Sequence, residues 1–399
     1  MRPILACQTM LFSADGASLE RAYRIRLETL CKKGFQLMGS AVEKRYESTL
    51  PKIAIIGCGA AAREFCLPVL NRYRGFRNSV WLVDLSGPQA KSLASEFGVE
   101  NYGSDYSCLP DDLAAAFITT PHHLHAEQAI HFLNQGQSVF VEKPLAMSAL
   151  EVTNMIAAAE AGRATLMVNN CRRLFPSYCA IASKLHATEF GNIRAIRICD
   201  GSPFEWKSVS DFYLKHADQA KGVFLDRGAH TLDLICWWLS SFNETPQVVE
   251  ALWDAMGGQE ASMDVQLTCG STVVELAFSR LFKLQNRYTV ECDTATISGR
   301  LFNPTSIEIT RQGKRQVVHV AKPRGYHEHA WQLIDNFIGV VRQTEEPFFK
   351  AIDVAPSISL IEEAYRKANA FDMPWYSSDP NIPWLRQQFS GQLSHNVFK

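Results

Sequence analysis

The segment IAIIGCGAAAREF at residues 53–65 limits the fold more than any other stretch of this chain. An apolar run ends on Gly57, Gly59 follows two residues on, Ala62 follows three after that, and helical spacing continues to Leu70. In a strand–turn–helix unit the first glycine permits the tight turn, and the second lets backbone amides approach a pyrophosphate. The small third residue lets the helix pack on the strand. The free N–H groups at the helix start then face the anion. Gly57, Gly59, Ala60 and Ala61 are therefore candidate cofactor-binding residues.

The spacing is weak evidence alone, but its setting repeats. SVWLVD, AAAFITT, SVFVEK and TLMVNN read as further strands, with QAKSLASEF, HAEQAIHFLNQG and SALEVTNMIAAAEAG as the helices between them. Alternation at this rhythm predicts a parallel sheet with helices on both faces, a Rossmann-type dinucleotide-binding domain over residues 51–173. Asp84 ends the second strand. A carboxylate there accepts both adenine-ribose hydroxyls and repels a 2′-phosphate; Leu85 rather than arginine follows, so NAD is favoured, with NADP possible.

After about residue 175 the alternation stops. GNIRAIRICDG, MDVQLTCG, STVVELAFS and RYTVECDTATISG are successive strands with few helices between them. They predict a second, α+β domain over residues 174–375, built on a large, open, mostly antiparallel sheet with one face covered. Residues 1–50 read as an extension and 376–399 as a tail.

A net charge of −1 offers no basic field for nucleic acid or an anionic membrane. No apolar run reaches the ~18 residues of a membrane span. Eleven cysteines, with no CxxC pair, predict buried free thiols in a reducing compartment, with neither a metal site nor a disulfide framework. The expectation is a cytoplasmic protein with a small-molecule partner.

Five segments in order, GCGAAA, ITTPHHLHAEQAI, VEKPLA, NCRRLFP and GVFLDRGAHTLDL, resemble the Gfo/Idh/MocA oxidoreductases. The likeness runs from about Pro51 to Pro374. It implies hydride transfer between NAD(P) and a secondary alcohol or ketone of a sugar, cyclitol or nucleotide sugar, in a homodimer or homotetramer joined through the second sheet. It also implies that the lysine of EKP and the aspartate and histidine of DxGxH surround the reacting carbon. Here these are Lys143, Asp226 and His230. By the same likeness Thr119, Thr120, Pro121, His122, His125 and Glu142 lie along the cofactor, His122 standing where asparagine is commoner.

The chemistry agrees with those residue types. Alcohol oxidation needs a base for the hydroxyl proton, and an imidazole with a reference pKa near ~6.5 suits it. His230 is the candidate base, and Lys143 the donor that stabilises alkoxide charge. Asp226, His230 and Asp233 fall on one helix face by spacing. Asp226 either orients the ring, binds a neighbouring hydroxyl or caps the helix. Asp233 is either structural or a substrate contact. Arg172 and Arg173, at the domain crossing, pair structurally or meet substrate oxygens. Trp206 offers a sugar face or core packing, and Arg227 an anion contact or solvated charge. Two rival functions share the fold: a non-catalytic dinucleotide-binding regulator and an NAD-dependent glycosidase-like enzyme.

Overall fold

The computed structural model describes residues 46–205, 221–241, 244–255, 259–322 and 325–372. Six short strands form the first sheet: β1 (Ile53–Ile56), β2 (Val80–Val83), β3 (Asn101–Gly103), β4 (Ala115–Ile118), β5 (Ser138–Val141) and β6 (Leu166–Val168). All pairings are parallel, in the order β3-β2-β1-β4-β5-β6. β1 and β4 are buried at every residue, as continuous apolar runs covered on both faces must be. The connecting helices include α1, a π-helical turn Ala62–Cys66 running into Leu67–Leu70, then α2 (Gly87–Phe97), α3 (His125–Leu133) and α4 (Ala149–Ala161). Ser86 and Ser148 cap α2 and α4 through Gln89 and Glu151 N–H groups. Strand order reverses between β1 and β4, so a crevice opens at their carboxyl ends. Gly57, Asp84, Thr119, Glu142 and Asn169 all follow strand ends on that rim.

The second sheet has nine strands, in the order β14-β13-β12-β11-β7-β10-β9-β8-β15. They are β7 (Ile193–Gly201), β8 (Gln247–Trp253), β9 (Ser262–Cys269), β10 (Thr272–Ser279), β11 (Arg287–Cys292), β12 (Thr296–Arg300), β13 (Ser306–Arg311), β14 (Lys314–His319) and β15 (Asn369–Ala370). Pairing is antiparallel except β7–β10 and β8–β15. Helices α5 (Pro176–His186), α6 (Ala229–Leu239) and α8 (Ala355–Lys367) pack behind it, and β9 alternates buried and half-buried residues because only one face is fully covered. Between sheet and helices, the Tyr178 ring meets Trp238 and Tyr288 at 5.7 and 5.8 Å.

Two expected boundaries move. Tyr46 to Leu50 are part of the folded body, since Leu50 is buried and Tyr46 donates to Asp335 at 2.8 Å. Helix α7 (Tyr326–Val341), late in the sequence, packs on the first sheet and not the second. Asp335 takes the Tyr73 hydroxyl at 2.8 Å, and Phe337 lies against Phe117 and Phe140 at 5.3 and 5.4 Å. The apolar stripe of α7 covers a sheet face that the preceding helices leave open. Residues 376–399 lie outside the described residues. Among the described residues, no helix is long and apolar enough to cross a membrane.

Because Phe337 is fully buried against the first sheet, Phe337→Ala is expected to cost ~3–5 kcal/mol in urea unfolding. A loss under ~1 kcal/mol would contradict this docking of α7.

Candidate active site

The glycine turn is pinned from three sides. Gly57 has φ +95° and donates its N–H to Val83 O at 2.8 Å; a Cβ there would lie 2.9 Å from the Thr119 carbonyl. A Cβ on Gly59 would meet nothing within 4 Å, which leaves room for a ligand over that amide. Asp84 accepts the Cys58 and Ser86 N–H groups at 2.8 Å each, and Gln89, which sequence reasoning passed over, donates to Cys58 O. The carboxylate therefore builds the turn and keeps lone pairs for ribose hydroxyls. These residues fit a dinucleotide: a cradle without side chains, and an acid at its edge.

That cradle opens into a cleft of about 1130 Å³ running between the two sheets. Ala60, Ala61, Thr119, Thr120, Pro121 and His122 line it, as does Glu142. The two threonines are already engaged, Thr119 Oγ1 with Gly57 O at 2.6 Å and Thr120 Oγ1 with Gln128 at 2.6 Å, so they shape the loop. Burial pushes the Glu142 carboxyl up, opposed by the Asn169 amide at 2.7 Å and by Lys143.

His125 does not face the cleft as expected. Its ring packs between Pro144 O at 2.8 Å and Thr120 O at 2.9 Å; the neutral ring donates to one of them and lies against the other, bridging the loop after β4 to the loop after β5. A buried ring against two carbonyls has no edge left for a cofactor.

At the far end of the cleft Lys143, Asp226 and His230 come together. Lys143 follows β5 ahead of a cis bond to Pro144. Its Nζ reaches across to Asp226 Oδ1 at 2.5 Å and to the Asp226 carbonyl at 3.1 Å. Burial alone would push the Asp226 carboxyl up, but the Lys143 charge and hydrogen bond outweigh it and hold it at about 2. The His230 imidazole is pushed well below the usual range by burial, then by the Arg172 and Lys143 charges. At pH 7 it is neutral, and its Nδ1 has no hydrogen-bond partner among the described residues.

Among the described residues, the Asp226 carboxylate caps no helix N–H. It sits in a π-helical turn, Phe224–Gly228, that precedes α6. The buried Glu260 accepts the Phe224 N–H at 2.9 Å and the Tyr365 hydroxyl at 2.7 Å, while Tyr365 accepts the Leu225 N–H at 3.0 Å. Two orphan N–H groups of the turn are thereby satisfied without using Asp226.

The expected column of three titratable groups breaks at its last member. Asp233 and Arg173 form a buried bidentate pair at 2.9 and 2.6 Å, and Arg173 also reaches Asp353 O. Neither lines the cleft, because a guanidinium buried between Trp237 and Phe349 requires its own carboxylate. Each engages the other, outside the cleft lining. Arg172 and Arg227 do line it, and they share Asp200 at 3.3 and 2.7 Å. Asp200 was missed; its one signal was a carboxylate on the same strand parity as Ile196 and Ile198. Trp206 lies outside the described residues.

The two sheets and the cleft between them fit a nicotinamide-dependent oxidoreductase, and comparison with known proteins supports that class. Residues 51–170 match the family described as oxidoreductase family, NAD-binding Rossmann fold. The chain is 26% identical over 309 residues to 4-carboxy-2-hydroxymuconate-6-semialdehyde dehydrogenase of Sphingobium sp., covering 74% of this chain and 92% of that one. It is 24% identical to inositol 2-dehydrogenase of Rhizobium meliloti, over 72% and 88% of the two chains. A 3-ketoreductase from Actinomadura kijaniata, solved with NADP and TDP-benzene, shares the fold at a TM-score of 0.69 and 22% identity, over 81% of this chain and 99% of that one. The first domain thus matches the Gfo/Idh/MocA oxidoreductase family model, and these relatives extend the resemblance over most of the chain.

His122, His125 and His230 are all held below the usual imidazole range, primarily by burial, with His125 at about 4. Below the unfolded value near ~6.5 the unfolded chain binds more protons than the native one, so stability falls as pH falls. For His125 alone the loss is of order 3 kcal/mol by the time pH reaches its folded pKa. The urea midpoint is therefore expected to drop markedly from pH 7 to pH 5, and by less in His125→Gln. Equal midpoints would contradict neutral buried rings.

Proposed function

We propose that this oxidoreductase is a dehydrogenase or ketoreductase for a secondary alcohol or ketone of a sugar, cyclitol or related polyol. The observation that carries the reading is the meeting, in one cleft, of Lys143 from the first sheet and His230 from behind the second. Gly57 to Ala61, Asp84, Thr119 to His122 and Glu142 would hold the dinucleotide, which supplies hydride acceptance and return at its nicotinamide. Asp84, followed by the exposed Leu85, favours NAD over NADP.

In the oxidation direction the neutral imidazole of His230, which lines the cleft, takes the hydroxyl proton. Lys143 donates to the same oxygen as charge develops, and Asp226 fixes the direction of the ammonium. Reduction runs through the same groups, His230 returning the proton. By its name one relative acts on inositol, which supports the polyol class without naming the compound, while the other acts on a semialdehyde. The intact Lys143–Asp226–His230 set disfavours a purely regulatory chain.

The partly covered second sheet supports a homodimer or homotetramer formed through its open face; a monomer by light scattering would contradict that.

Absorbance at 340 nm with polyols and keto-sugars tests the reaction. His230→Asn is expected to lower kcat ~10²–10⁴-fold while NADH affinity changes little. Lys143→Met with Asp226→Asn, which removes both charges together and strands neither, is expected to do the same. Near-normal turnover in either variant would reject these roles.

A further inference from the structure

Resting on that reading, we propose that the substrate also carries an anionic group, a carboxylate or a phosphate, which docks on Arg172 and Arg227 beside the reacting carbon. Lys143 and Asp226 balance each other at the reacting position. The neighbouring cluster is unbalanced: two guanidiniums share the single carboxylate of Asp200, which is fully buried. Among the described residues no second carboxylate pairs with either guanidinium, so one positive charge is left over. A buried cation without a counter-charge is costly, and a cleft that opens onto one is suited to an anion.

The pair is also aimed. Arg172 is 6% exposed, its Nε has no hydrogen-bond partner among the described residues, and its guanidinium lies 5.0 Å over the Phe302 ring in the cleft wall. Arg227 is fixed by Ser202 Oγ at 2.6 Å in addition to Asp200. Planar, pre-oriented guanidiniums of this kind match the oxygen geometry of carboxylates and phosphates. A cofactor diphosphate does not account for them. Its seat is the glycine turn, whereas Arg227 stands on the π turn of the second domain and Asp200 at the end of β7.

The test uses the smallest matched polyols, so that ring stereochemistry does not enter. Glycerol, D-glycerate and glycerol 3-phosphate are titrated calorimetrically into the NADH-saturated protein at low salt. At least one anion is expected to bind tenfold or more tighter than glycerol, and the stronger of the two identifies the group as carboxylate or phosphate. In Arg227→Gln that preference is expected to collapse toward unity. The wild-type comparison stands even if the variant fails to fold. Equal binding of all three, or no binding of either anion, overturns the subsite. Failure of the protein to take up NADH would instead overturn the oxidoreductase reading, and the subsite with it.

Discussion

The contact on which the rest depends is the ion pair between Lys143 and Asp226, 83 residues apart and 2.5 Å long. One partner stands at the end of a strand in the first sheet, the other on a helical turn behind the second. Each is about one-fifth exposed, so the pair is partly dry and strongly directional. Removing one partner of such a pair costs more than the pair itself contributes, because the remaining charge stays buried. The fold meets that requirement from both sides. His125 straps the Lys143 loop, while Glu260 and Tyr365 hold the turn that carries Asp226.

Around this pair the cleft is graded in charge. Its glycine end offers backbone amides and one acid, suited to ribose and diphosphate. Its middle holds imidazoles kept neutral by burial and by neighbouring cations, the form in which His230 accepts a proton. Its far wall is cationic. A neutral base beside a fixed ammonium is what alcohol oxidation asks of a protein, because the proton and the developing negative charge go to different groups.

Much of the first domain was legible because each constraint is local. A buried parallel strand reads as a continuous apolar run, and a glycine turn with an acid at the next strand end leaves its mark within thirty residues. The second sheet was legible in kind but not in order. That β7 pairs in parallel with β10 depends on Val273 meeting Ala195, a register no local spacing encodes. The π turns at Ala62–Cys66 and Phe224–Gly228 were hidden, since one extra residue per turn does not disturb so short an apolar pattern. Spacing placed Asp233 near His230 but could not reveal that Arg173 would claim it. Asp200 and Glu260 escaped for the same reason: a buried acid is explained by partners distant in sequence.

A crystal structure of the protein with bound NADH tests the central claim most directly. The account predicts the nicotinamide C4 facing the space between Lys143 Nζ and the His230 ring, with the Lys143–Asp226 contact intact and room for one substrate carbon at ~3–3.5 Å. A nicotinamide lodged elsewhere, or one that finds lysine and imidazole turned to opposite sides of it, would contradict the account.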